Sequence, residues 1–96
     1  MSIETLSREF REVHWAKFVQ FSKEEINSFP VEVLTCLDEE NIPADIKTVI
    51  IYRLGANAET WIHKNVDAFS GNKPIDLLVT EEGIKALKEG LLRMPD

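Results

Sequence analysis

Few side chains in this 96-residue chain are suited to catalysis or metal binding: one cysteine, Cys36, and two histidines, His14 and His63. A nucleophile needs a base beside it, and a metal needs several ligands at short, regular spacings. None of the three has such a neighbour in sequence, so they read as a core thiol, a partly buried histidine and a surface histidine. The acid pairs Glu24/Glu25, Glu39/Glu40 and Glu81/Glu82 are adjacent, so on a helix they point apart and serve as solvated faces and caps. No phosphate-cradling glycine loop occurs. The expectation is a binding protein rather than an enzyme, with no catalytic residue, metal or cofactor.

Charge narrows the partners. Eleven Lys and Arg against seventeen Asp and Glu give a net charge of -6, a field that repels phosphate backbones and anionic lipid over roughly a Debye length. Between Glu24 and Ile46 stand seven acids and no Lys, Arg or His, the opposite of what a DNA-recognition helix must offer. DNA is therefore an unfavourable partner for this chain alone. The lone Cys36, set among Val33, Leu34 and Leu37, suits a reducing compartment. The first residues lack the basic flank and apolar run of a signal peptide, and no stretch approaches the ~18 apolar residues of a membrane span. A cytoplasmic protein is expected.

The elements that must position any site read as helices, in an all-α fold with about five to six of them in a single small domain. Ile3, Leu6, Phe10 and Val13 have helical spacing and Glu4 and Arg8 are four apart, which predicts a helix from 3 to about 21. Trp15, Phe18 and Val19 lie on another side, so that helix either bends near His14 or is covered on two sides. Ser22 with Glu25 has capping-box spacing and Pro30 suits a first turn, predicting short helices over 23 to 28 and 30 to 39. After Asn41 and Pro43, a helix carries Ile46, Val49, Ile50 and Leu54 on one stripe, with Gly55 placed to end it. Ala58 to Lys64 restarts a helix. Turn formers fill 65 to 73, and Pro74 opens a short turn reaching Leu77 and Leu78. Thr80 then caps a last helix to about Arg93, with Ile84, Leu87, Leu91 and Met94 on one stripe. Gly83, Ala86 and Gly90 lie beside it, a face small enough for close packing or an interface.

Taken in register, Ala58-x-x-Trp61-Ile62, Phe69-x-Gly71-x-x-Pro74-Ile75-x-Leu77-Leu78, Thr80-x-x-Gly83 and Leu87 to Met94 resemble the toxin-binding domain of the Xre/MbcA/ParS antitoxin family. The resemblance covers about the last forty residues and divides the chain into 1–55 and an antitoxin-like 56–96 within one compact domain. Where the family usually has Pro-Asn this chain has Asn65-Val66, and where it often has Gly this chain has Ser70. Longer relatives carry an N-terminal helix-turn-helix, of which residues 1–55 show no signature. The resemblance implies a bacterial antitoxin whose partner is a NAD-using toxin of the RES type, inhibited by occlusion of its substrate pocket. Two alternatives stay open: a transcriptional regulator with a degenerate helix-turn-helix, and an orphan dimerisation module; a homodimer is compatible with all three. The expected toxin-facing residues are Leu91, Arg93, Met94 and Asp96, with the core as the alternative place for Leu91. Trp61, Gly71, Pro74 and Thr80 read as structural: core anchor, turn and cap.

Overall fold

Ser2 accepts the Thr5 backbone N–H at 3.1 Å and so starts α1 (Ile3–Glu9), satisfying one amide that the first turn leaves free. The computed structural model describes residues 2–94. The helix expected to run unbroken to 21 is two helices, because Phe10 and Arg11 adopt extended backbone angles before α2 (Glu12–Glu25) begins. Each piece then buries its own stripe: Leu6 in α1, Trp15 and Ser22 in α2, with Phe18 and Val19 half-buried. The break at 10–11 replaces the bend expected near His14 and leaves Val13 59 % exposed, off either stripe.

Ser22 does not cap a helix. It lies inside α2, fully buried, and its hydroxyl has no hydrogen-bond partner among the described residues. The chain instead leaves α2 through a 3₁₀ turn, Ile26–Ser28, into the four-residue α3 (Val31–Leu34), and residues 35–40 are turns rather than a helix to 39. Then follow α4 (Ala44–Leu54), ended by Gly55 at φ +55°, and α5 (Ala58–Ile62). A left-handed Gly55 stops α4 at no steric cost. Residues 65–73 form a tight excursion: Val66 and Asn72 bridge their backbones, Asp67–Phe69 is a 3₁₀ turn, and Ser70 and Gly71 both take positive φ. Pro74–Val79 is another 3₁₀ turn, after which the Thr80 hydroxyl accepts the Gly83 N–H at 2.9 Å and starts α6 (Glu81–Arg93).

Six α-helices and no strand among the described residues make this an all-α single small domain. One core serves the whole of it. Leu6, Phe10, Trp15, Leu37, Ile46, Val49, Ile50 and Ile51 from residues 1–55 are buried together with Ala58, Ile62, Phe69, Leu77, Ala86, Leu87 and Leu91 from 56–96. α6 is the centre of the arrangement, with α1 lying along it and α2, α4 and the two later 3₁₀ turns against it. No helix among the described residues is long and apolar enough to cross a membrane.

Candidate functional site

The glycines and alanine of α6 are used internally. A Cβ on Gly83 would collide with the Leu77 backbone carbonyl, and one on Gly90 with the edge of the Phe69 ring. Ala86 is fully buried. Gly83 and Ala86 are therefore used up in the chain's own packing, whereas Gly90, half-buried against Phe69, keeps one side open. Thr80, Gly71 and Pro74 likewise shape that segment: the hydroxyl caps α6, Gly71 turns the chain at φ +79°, and Pro74 begins the 3₁₀ turn with its ring buried. Ala58, at the start of α5, is fully buried in the same core.

An open apolar groove of about 210 Å³ lies where this segment meets the end of α6. Leu6 of α1, Trp61 of α5, Val66, Ala68 and Phe69 of the excursion, and Gly90, Arg93 and Met94 of the last turn line it. Trp61 and Phe69 meet edge to face, centroids 6.2 Å apart, so one ring is sealed in the core while the other forms a wall. Trp61 is thus half-buried, a groove wall and not a deep core anchor, and its indole N–H has no partner among the described residues. Absence of a side chain at Gly90 is what makes room for the Phe69 ring against α6.

At the groove's rim Arg93 Nε donates to Glu89 at 2.6 Å and its Nη2 pairs with Glu9 at the end of α1. Glu89 first, then Glu9, hold the guanidinium further above its ordinary range. Met94 is half-buried beside it. Leu91, by contrast, is fully buried, so its side chain serves the core and offers no contact surface. Asp96 lies outside the described residues. Of the four expected contacts, the structure brings Arg93 and Met94 to one groove and withdraws Leu91.

A second Phe–Trp pair, Phe10 and Trp15, sits beside Lys88 near the middle of α6 and is closed. The Trp15 indole N–H donates to Asp45 at 2.8 Å, and Lys88 Nζ lies 5.4 Å from the Trp15 ring, 5.6 Å from the Phe10 ring and 3.6 Å from Asp45. Burial pushes the Asp45 carboxyl up, but the Trp15 N–H, the Ile46 backbone N–H and the Lys88 ammonium together bring it below its ordinary value. Elsewhere, Cys36 is half-buried rather than a core thiol, and burial and the Glu59 carboxylate raise its thiol above the ordinary value. His63 is exposed and meets Glu40 at 3.1 Å, and His14 is exposed rather than partly buried. No group of three or more His, Cys, Asp or Glu able to hold a metal occurs among the described residues.

The groove was not visible from sequence because its walls come from positions 6, 61, 66, 69, 90 and 94, linked only by tertiary packing. The one local trace was Gly90, a costly residue inside a helix that had to have a packing reason. No family model, no curated protein and no solved structure matches the chain.

Proposed function

We propose that this chain is a cytoplasmic, antitoxin-like protein that binds and inhibits a NAD-using toxin of the RES type by covering its substrate pocket. The observation that carries the reading is the convergence, on one open apolar groove, of Trp61 and Phe69 from the antitoxin-like motif with Arg93 and Met94 from the end of α6. An uncovered groove walled by rings suits a large apolar side chain of a protein partner, the type of anchor that dominates interface energies. Met94 is flexible and polarizable, so it adapts to such a surface. The Pro95-Asp96 residues that follow would carry an acidic group to the toxin, where a NAD pocket must present cationic or amide donors to a pyrophosphate.

The reading predicts a RES-type toxin in the neighbouring reading frame, and the test is co-expression with it. The full chain should protect cells, whereas a chain truncated after Arg93 and Met94→Asp should each fail to protect, with melting temperatures within a few degrees of the parent because these positions lie at the edge of the core. Protection by the truncated chain would remove the tail from the inhibitory role, and no protection by the full chain would refute the antitoxin reading.

A further inference from the structure

α2 carries a second, separate feature that the toxin reading does not use. Phe21 is 44 % exposed, yet it is held in place: its ring lies 6.0 Å from Phe18 and 5.4 Å from Tyr52 of α4, and those two are 5.7 Å apart. Arg53 backs the cluster at 4.6 Å over the Phe18 ring. A rigid aromatic ring facing water costs little ordering when a partner covers it.

The charges around it are arranged in a particular way. Lys17, Phe21 and Glu25 are spaced four apart and share one row on α2, and Val13 extends that row by one more turn. Lys17 and Glu25 make no ion pair among the described residues, and both are exposed. The row is charge-antisymmetric about Phe21. A two-fold axis through Phe21 places Lys17 of each copy opposite Glu25 of the other, whereas a parallel pairing would set like charges together. Self-complementarity of this kind is what an isologous dimer requires.

From this row we infer that α2 is a self-association face on which two copies of the chain pack antiparallel about Phe21. The patch is small, so the dimer is weak and forms in the range of tens of micromolar, as expected at the low end of interface sizes.

Sedimentation equilibrium over roughly 1 µM to 1 mM tests it. The parent should shift from monomer to dimer across that range, and Phe21→Ser should abolish the shift. Lys17→Glu and Glu25→Lys should each weaken dimerisation about tenfold, since each sets two like-charge pairs across the axis. An equimolar mixture of these two variants should regain parent-like dimerisation, because each supplies the charge the other lacks. All three positions are exposed, and circular dichroism checks that the variants stay folded. A parent that remains monomeric at 1 mM, or a mixture that associates no better than its components, overturns the inference. Loss of toxin protection on Phe21→Ser with a monomeric parent assigns the face to the toxin and overturns it equally.

Discussion

Two places along α6, one beside Lys88 near the middle of the helix and one at its last turn, hold the same construction, an edge-to-face Phe–Trp pair, finished in opposite ways. Beside Lys88, Trp15 is 2 % exposed, its N–H is taken by Asp45 and its ring is covered by the Lys88 ammonium. At the last turn, Trp61 is half-buried, its N–H is unpaired among the described residues, and beside it lies an open groove. A buried aromatic whose polar edge is satisfied and whose face is covered has nothing left to offer a partner. One that is packed on one side only keeps both an apolar face and a donor for recognition. The difference separates a closed packing site that joins helices from an open one at the last turn of α6.

Truncating the two tryptophans should expose this asymmetry most strongly. Trp15→Ala should cost about 3 to 5 kcal/mol, from the cavity and from the Asp45 carboxylate that loses its donor, whereas Trp61→Ala should cost about 1 to 2 kcal/mol because part of its surface is already in water. Urea unfolding measures both, and equal losses would mean that the groove is closed in solution. A smaller contrast is expected along α6. Gly83→Ala should cost about 2 to 3 kcal/mol, since its new methyl meets backbone that cannot yield, and Gly90→Ala about 1 kcal/mol, since the Phe69 ring can swing toward the groove. Gly90→Ala should also narrow the groove and weaken toxin protection, while Gly83→Ala at permissive temperature should not.

The closed pair also predicts a dependence on pH. Asp45 has a folded-state value below its unfolded one, so its ionised form stabilises the protein at neutral pH, and that contribution fades as pH falls from about 4 through the lowered value. Thermal melts of the parent and Asp45→Asn should therefore differ most at pH values above the ordinary carboxylate range and converge once pH falls below the lowered value; a constant difference would place the stabilisation outside the carboxylate's charge. The least perturbing change is Ser22→Ala, which removes a buried hydroxyl without a partner and should leave stability unchanged or raise it by up to about 1 kcal/mol.

What could be read from the sequence was what local chemistry determines. Thr80 capping α6, Gly55 ending α4 and Gly71 turning the chain are positions where one residue type answers one backbone need. The break at Phe10–Arg11 has no proline or glycine to announce it; only the mismatch in phase between the Leu6 and Trp15 stripes marks it, and packing onto α6 decides where it falls. Ser22 misled for a related reason, since a serine three residues before a glutamate has the same spacing inside a helix as at its start. Leu91 and Met94 share a stripe, yet burial divides them, because the stripe runs off the core in the last turn.

Arg53 has a bearing on how the groove behaves over time. Its Nε donates to the Leu91 carbonyl at 3.1 Å and its Nη2 to the Leu92 carbonyl at 3.4 Å, two acceptors that a helix end leaves to water. A last turn tied in this way to α4 resists fraying, and the roughly 1 to 2 kcal/mol per residue needed to immobilise a loose backbone is met on folding and not on encounter. Arg93 and Met94 are therefore held in place before any encounter, and a partner of the kind proposed should dock on them as onto a rigid body, with little slow rearrangement after contact.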